Sequence, residues 1–197
     1  MLSKEFEDKV RNYTQMLVGS TLATTRISPD AITLMSLVLT MGVVALLAMG
    51  ALPWAGLLFL IASGFDMLDG ALARSRGEHR PFGAFLDSTI DRYAEMLVFL
   101  GLLLYYYHAQ AASGLNYALL IFLASHGSLL TSYIRARAEA VGFDGRGGIL
   151  DRPGRVIVLA LGMLSGWLTP SLIILAVLTN LSALQRFARV WSQAHQA

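Results

Sequence analysis

Three long stretches without any Asp, Glu, Lys or Arg constrain this chain more than any other feature. They cover residues 31–65, 96–134 and 156–185, so each is 30 residues or longer. A helix needs about 20 apolar residues to cross the hydrocarbon core of a membrane. Helix-breaking residues lie near the middle of each stretch, at 50–53, 110–114 and 166–170. Each stretch therefore predicts a pair of helices that cross a membrane out and back.

The predicted fold class is an all-α integral membrane protein with six transmembrane helices. The expected spans are residues 30–49, 53–76, 82–108, 115–141, 151–168 and 170–189. Only 14% of the residues are charged, whereas soluble domains are about 25% charged. No repeat or linker divides the chain, so we expect a single domain over residues 1–197. The sequence has no Cys, which excludes disulfides, thiolate nucleophiles and cysteine-based metal sites.

The first 20 residues form a separate pattern. Apolar residues recur at helical spacing against a charged face, at Leu2, Phe6, Val10, Tyr13 and Leu17. This pattern predicts an N-terminal amphipathic helix that lies on the cytoplasmic surface of the membrane. A helix packed against the protein core is the alternative.

The positions of the basic residues predict the orientation in the membrane. All 15 Lys and Arg residues lie outside the three breaker loops. The positive-inside rule then places both termini, both long connections and any site between them on the cytoplasmic side of the cell membrane. Arg146 and Arg152 are interpreted as such anchors, and Trp54 and Trp167 as aromatic anchors at the opposite interface. The net charge of +2 gives no indication of a nucleic-acid partner.

Four carboxylates lie at the cytoplasmic ends of the second and third spans, where ionisable groups are costly and usually functional. They are Asp66, Asp69, Asp87 and Asp91. Each pair is three or four residues apart and therefore occupies one helix face. If the two helices are antiparallel neighbours, the four carboxylates converge, and their repulsion then requires a cation. An all-oxygen site favours Mg²⁺, Mn²⁺ or Ca²⁺. Ordinary capping or pairing with nearby arginines is the alternative.

Small residues accompany these carboxylates. Gly70, Ala73 and Gly83 leave space beside them for a ligand or a neighbouring helix. Arg74 adds a cation suited to an anionic ligand. Glu95, one turn beyond Asp91, is interpreted as a partner of Arg or Tyr, and His126 as an interhelical hydrogen-bonding residue.

The pattern Asp66-x2-Asp69-Gly70-x2-Ala73-Arg74-x8-Gly83-x3-Asp87-x3-Asp91 resembles the signature of the CDP-alcohol phosphotransferases, membrane enzymes of phospholipid synthesis. The resemblance implies that the four aspartates bind one or two divalent metals, normally Mg²⁺ with Mn²⁺ as a substitute, against the pyrophosphate of a CDP-lipid. It also implies that Asp91 is the general base that deprotonates the attacking hydroxyl. The lipid substrate would be CDP-diacylglycerol or an archaeal CDP-lipid, and relatives tend to be homodimers.

The same resemblance places the nucleotide near a short turn before the first span. The matching residues are Pro29, Asp30 and Thr33, which join the CDP-lipid set of Asp66, Asp69, Gly70, Ala73, Arg74 and Gly83. A helix start with Pro29 in its first turn and Asp30 as its cap explains the same short motif equally well.

A second polar cluster indicates which alcohol is accepted. Arginines at the end of the fourth span and the start of the fifth could surround a phosphate, so the acceptor is expected to be a phosphorylated polyol. The run Ser132-Tyr133-Ile134-Arg135-Ala136-Arg137-Ala138-Glu139 resembles prokaryotic phosphatidylinositol-phosphate synthases. That resemblance implies myo-inositol 1-phosphate as the acceptor, with Ser132, Arg135 and Arg155 at its phosphate.

Two alternatives to this function stay open at this point. Glycerol 3-phosphate, which gives phosphatidylglycerol phosphate, also needs a cationic acceptor pocket. A cation-coupled membrane transporter would also explain carboxylates within a membrane protein. Transporters usually bind near the midplane between repeated halves, whereas these carboxylates cluster at one side.

Overall fold

The computed structural model describes residues 28–75, 81–109 and 114–196. It contains six helices in these residues: α1 (Pro29–Ala48), α2 (Leu52–Ser75), α3 (Pro81–Ala109), α4 (Gly114–Ala140), α5 (Arg152–Ser165) and α6 (Leu168–Ala194). The all-α fold is thereby confirmed, with bounds close to the expected spans except that α6 continues to Ala194. The predicted amphipathic helix at 1–20 lies outside the described residues.

The first helix begins with a side-chain cap and ends at a glycine. The Ser28 hydroxyl accepts a hydrogen bond from the Ala31 amide at 3.2 Å, and Pro29 opens the helix. The alternative of Asp30 as the cap is therefore wrong, because a proline at the first helical position requires the cap to precede it. Gly50 has φ +76°, a conformation that allows the chain to turn sharply into α2.

The start of α5 is fixed in the same way. Asp151 is the cap, and its carboxylate accepts a hydrogen bond from the Gly154 amide at 2.9 Å, with Pro153 in the first turn. Asp151, predicted as the first residue of the span, thus lies just outside the helix. Arg152 becomes the first helical residue.

The six helices contact one another in the ring order α1, α2, α5, α6, α4, α3, and α3 closes the ring on α1. Fully buried side chains fill the centre: Val43, Leu47, Leu102, Met163, Leu172 and Leu175. This order differs from the expected arrangement, since among the described residues α3 packs mainly on α1 and much less on α2. The carboxylates of α2 and α3 therefore meet across the space beside α1.

Glycine allows close approach at two of these contacts. A Cβ atom at Gly101 would lie 2.8 Å from Leu47 Cδ1 and 3.2 Å from the Val44 Cα atom. On α4, a Cβ at Gly127 would collide with Thr179 and lie 2.8 Å from the Asn180 amide nitrogen. Small residues at contacts are typical of helices packed in membranes, where backbones approach closely.

The expected interhelical role of His126 is confirmed. His126 Nδ1 lies 3.1 Å from Asn180 Oδ1. The side-chain nitrogen Nδ2 of Asn180 also donates a hydrogen bond to the Leu123 carbonyl at 2.9 Å. These bonds join α4 to α6 beside the Gly127 contact.

Among the described residues, three helices have the length and apolarity to cross a membrane: Pro29–Ala48, Asn116–Ala140 and Leu168–Ala194. A further apolar segment, Leu52–Asp66, is shorter. Large apolar side chains on the outer surface of α1 are exposed, among them Val38 and Met41. This surface is suited to lipid, and the chain is a membrane protein.

Candidate metal and substrate site

Three of the predicted carboxylates converge. Asp66 lies on α2, and Asp87 and Asp91 lie one turn apart on α3. Each supplies a carboxylate oxygen, and these oxygens all lie within 4.8 Å of one another. The predicted grouping is thereby observed for these three residues. The Asp69 side chain lies outside the described residues.

This cluster fits a hard divalent cation. Its donors are all carboxylate oxygens, which Mg²⁺ and Mn²⁺ prefer. The Asp91 side chain is only 10% exposed, so its carboxylate is largely withdrawn from solvent. Three carboxylates this close together repel one another strongly, and a divalent cation bound between them would remove that repulsion.

Arg152 lies directly against the cluster. Its Nη1 atom is 2.7 Å from Asp66 Oδ2, and its Nη2 atom is 2.6 Å from Asp91 Oδ1. The second contact is an ion pair without hydrogen-bond alignment, since Asp91 Oδ1 has no hydrogen-bond partner. The interpretation of Arg152 as a simple membrane anchor is therefore incomplete. The signal in the sequence was its place directly after the Asp151 cap, which puts it in the first turn of a helix.

Further ion pairs extend inward from Asp91. Arg92 lies 3.6 Å from Asp91 Oδ2 and 3.1 Å from Glu95 Oε2. Arg155 closes the series, with its Nε donating to Glu95 Oε1 at 2.9 Å. The expected pairing of Glu95 with arginine is confirmed. We call the series Asp66, Arg152, Asp91, Arg92, Glu95 and Arg155 the ion-pair chain, because acidic and basic side chains alternate along it.

A cavity of about 50 Å³ lies beside the ion-pair chain. Asp66, Asp91, Glu95, Arg152 and Arg155 form its charged wall. Hydroxyls line another part of it: Ser36, Thr40, Ser63 and Ser128. The Ser128 hydroxyl is buried without a hydrogen bond. The cavity thus combines charged and hydroxyl groups inside an otherwise apolar bundle.

The start of α1 lies at the same end of the bundle. Ile32 packs against Leu72 and Leu68 of α2, beyond Asp66 in the chain. Thr33 is buried, and its hydroxyl donates to the Pro29 carbonyl at 3.2 Å. This places the first turn of α1 beside the end of α2 that carries Asp66.

The remaining residues of the predicted CDP-lipid set are only partly described. Gly83 lies in the first turn of α3, one turn before Asp87. The side-chain positions of Asp69, Ala73 and Arg74, and the surroundings of Gly70, lie outside the described residues. These four positions belong to α2.

The predicted acceptor residues lie on α4 and α5. Ser132 accepts a hydrogen bond from Arg92, so it joins the ion-pair chain directly. Arg155 is 5% exposed and held by Glu95. Arg135 is instead half exposed and pairs with Glu139 at 3.0 Å on its own helix. Ser132 and Arg155 are therefore linked through Arg92 and Glu95, whereas Arg135 lies nearer the surface.

Arg186 is a buried residue that the sequence analysis missed. Its Nη1 atom donates to the Thr131 carbonyl at 2.5 Å, and its Nε donates to the Gly147 carbonyl at 2.7 Å. It also lies within electrostatic range of Arg135 and Arg155. Its position directly after the third uncharged stretch was the available signal.

Comparison with known sequences gives a consistent result. A family model described as CDP-alcohol phosphatidyltransferase matches residues 26–191. The archaetidylinositol phosphate synthase of Methanothermobacter thermautotrophicus is 37% identical over 171 residues, which are 83% of each chain. The phosphatidylinositol phosphate synthase of Mycobacteroides abscessus is 36% identical over 198 residues, with 96% of this chain and 87% of that protein covered.

Solved structures agree with the sequences. Mycobacterium tuberculosis phosphatidylinositol phosphate synthase with CDP-DAG bound superposes with a TM-score of 0.80 at 31% identity, covering 90% of this chain and 94% of that one. The same enzyme in complex with manganese and citrate also gives a TM-score of 0.80, with 90% and 89% covered.

Proposed function

Because the chain belongs to the CDP-alcohol phosphatidyltransferase family, we propose that it transfers the phosphatidyl group of a CDP-lipid to myo-inositol 1-phosphate. CMP leaves, and phosphatidylinositol phosphate is the product. The family consists of metal-dependent phospholipid-synthesis enzymes. Membership therefore favours the enzyme over the transporter that the sequence left open.

One observation carries the proposal: oxygens of Asp66, Asp87 and Asp91 lie within 4.8 Å of one another beside a polar cavity that also contains Arg155. The carboxylates explain the need for a cation, and the buried arginine explains the preference for an anionic acceptor. Relatives named for inositol phosphate products support the choice of acceptor.

We assign the divalent metal, Mg²⁺ or Mn²⁺, to Asp66, Asp69, Asp87 and Asp91. When bound, the metal supplies positive charge that neutralises the pyrophosphate of the CDP-lipid. The lipid substrate is CDP-diacylglycerol or an archaeal CDP-lipid. The nucleotide end of this lipid binds against Pro29, Asp30 and Thr33 and against the small residues Gly70, Ala73 and Gly83. Arg74 supplies an additional cation.

Asp91 is the proposed general base. It accepts the proton of the attacking hydroxyl, and the hydroxyl oxygen forms a bond to the lipid-side phosphorus. The bond from that phosphorus to the CMP oxygen breaks, so CMP carries away the electron pair. Burial keeps bulk water from competing with the alcohol. Arg92, whose guanidinium lies 3.6 Å from Asp91 Oδ2, helps to hold the Asp91 carboxylate in place.

We propose that the acceptor phosphate is bound by Ser132, Arg135 and Arg155. Arg186 is added to this set because it lies within electrostatic range of Arg135 and Arg155. Arginine is suited to this role because its planar guanidinium donates two hydrogen bonds to phosphate oxygens. Glu95 holds Arg155 in one orientation. An acceptor without a phosphate would leave these cations without a counter-charge.

The membrane arrangement is also a proposal. All six helices span the membrane as one domain over residues 1–197, with an interfacial helix at 1–20. Both termini and the site face the cytoplasm, and two copies form a homodimer. The three spanning helices and the exposed apolar surface of α1 support this arrangement.

CMP release by the purified protein in detergent tests the function. The assay contains CDP-diacylglycerol and Mg²⁺, with inositol 1-phosphate, glycerol 3-phosphate or free inositol as the acceptor. We expect CMP only with inositol 1-phosphate, and far slower release from an Asp91→Asn control. Preference for glycerol 3-phosphate would contradict the acceptor assignment and keep the carboxylate site. Absence of CMP with every acceptor, including with an archaeal CDP-lipid, would contradict the proposed transfer reaction.

A further inference from the structure

Arg152 contacts two helices of the site at once. Each of its terminal nitrogens faces a carboxylate from a different helix, Asp66 on α2 and Asp91 on α3, at 2.7 and 2.6 Å. The Asp151 cap and Pro153 fix the backbone from which the side chain extends. The guanidinium is therefore held between two of the three converging carboxylates.

We propose that Arg152 is a built-in competitor of the divalent metal, a tethered cation that occupies ligand oxygens of the site and must move when the metal binds. The inference rests on the proposed metal-binding role of the aspartates. A divalent cation needs its oxygen ligands at about 2.0–2.6 Å. A guanidinium in contact with Asp66 Oδ2 and Asp91 Oδ1 covers lone pairs that the metal needs, so the two cations exclude each other at these atoms.

Two features indicate how the exchange proceeds. The Arg152 side chain is 36% exposed, which gives it space to move. Glu95 also attracts it electrostatically and offers a carboxylate to which the released guanidinium can shift.

The competition also has a benefit for the protein. Several carboxylates close together repel one another strongly. Arg152 neutralises part of that charge whenever the metal is absent, so the helices stay in place until the metal arrives. Arg152 is thus a positioning residue for Asp66 and Asp91.

Mn²⁺ binding to the detergent-purified full chain tests the proposal, with free Mn²⁺ measured by electron paramagnetic resonance and no lipid substrate present. Arg152→Gln should bind Mn²⁺ about tenfold more tightly than the unaltered chain, because a charge-assisted contact that opposes the metal is gone. The matched control is Arg155→Gln, which removes the same charge one turn along α5. In the unaltered chain, Arg155 pairs with Glu95 and not with Asp66 or Asp91. Its affinity should change much less.

A second readout separates competition from general loss of positive charge. In EDTA, Arg152→Gln should melt at a lower temperature than the unaltered chain, and Mn²⁺ should raise its melting temperature by a larger amount. Arg152→Lys keeps the charge, but a single ammonium group cannot contact both carboxylates as the guanidinium does. The Mn²⁺ affinity of Arg152→Lys should lie between that of the unaltered chain and that of Arg152→Gln. Arg152→Lys also replaces Arg152→Gln in the test if the glutamine variant does not fold.

Equal or weaker Mn²⁺ binding by both Arg152 variants would overturn the proposal, since Arg152 would then help to build the metal site. An equal gain in Arg155→Gln would also overturn it, because net charge alone would explain the effect. Asp66→Asn distinguishes these outcomes from failure of the metal assignment. If the unaltered chain binds no Mn²⁺, or Asp66→Asn binds it equally well, the assignment itself is wrong and the competition falls with it.

Discussion

The two ends of the helix bundle are held together by different chemistry. At one end, the ion-pair chain joins α2, α3 and α5 through alternating charges, from Asp66 to Arg155. At the other end, Tyr106 of α3 stacks on Tyr117 of α4 at 3.9 Å, and its hydroxyl lies 3.1 Å from Thr169 Oγ1 of α6. These contacts are uncharged.

This difference separates function from support. Charged groups in a membrane are costly, and here they are concentrated where a metal and two anionic substrates are proposed to bind. The aromatic end joins three helices without that cost and anchors the bundle. Substitutions should therefore affect turnover mainly at the charged end and stability at both ends.

Asp91→Asn should have the largest effect. The amide cannot accept the substrate proton as the carboxylate does, so turnover should fall by about 10²–10⁴-fold. CMP release with inositol 1-phosphate measures the effect. The matched control is Asp144→Asn, an exposed carboxylate between α4 and α5, which should leave turnover unchanged. Turnover close to normal in Asp91→Asn would show that Asp91 is not the base. It would also contradict the assignment of turnover to the charged end of the bundle.

Glu95→Gln should affect stability most. It removes the negative charge shared by Arg92 and Arg155 and leaves the buried Arg155 guanidinium without its counter-charge, a loss of about 3–5 kcal/mol. Thermal unfolding in detergent measures it. Glu139→Gln is the control, because its pair with Arg135 is about half exposed and such pairs contribute about 0–1 kcal/mol. Equal melting temperatures for the two variants would show that the ion-pair chain does not hold this end.

The sequence predicted one side of the site better than the other. Asp66, Asp87 and Asp91 were recognisable because their spacing within helices is local and their position in apolar runs is unusual. The role of Arg152 depends on α5 packing against α2, a contact between distant parts of the chain. Its type and position fitted the positive-inside rule as well as those of Arg146, and its place after the Asp151 cap indicates a helix start but not which carboxylates it contacts.

The helix bounds were predictable because their signals are also local in the sequence. The order in which the helices pack around the bundle was not predictable. Uncharged stretches and glycines such as Gly50 and Gly166 fix where helices end. Which helices pack together depends on surface shape, and a short connection made α2 and α3 look like direct neighbours. In the fold, α1 contacts both.

Gly127→Ala should have an intermediate effect on stability. It tests a helix contact that lies between the two ends of the bundle. The added methyl group would collide with Thr179 and press on Asn180, and such overpacking costs about 1–3 kcal/mol. Thermal unfolding in detergent measures the loss. Gly64→Ala is the matched control, because no atom lies within 4 Å of the added Cβ there. An unchanged melting temperature for Gly127→Ala would mean that α4 and α6 can separate without cost.

Tyr106→Phe should have the smallest effect and tests the uncharged end directly. The substitution keeps the ring stacked on Tyr117 and removes only the contact with Thr169, so stability should fall by about 1 kcal/mol. Turnover per folded molecule should stay normal, because the site lies at the opposite end. Tyr107→Phe is the control, since that ring is 73% exposed and should tolerate the change. A clear loss of turnover in Tyr106→Phe, with the melting temperature unchanged, would show that the two ends are coupled and that the aromatic end does more than support the fold.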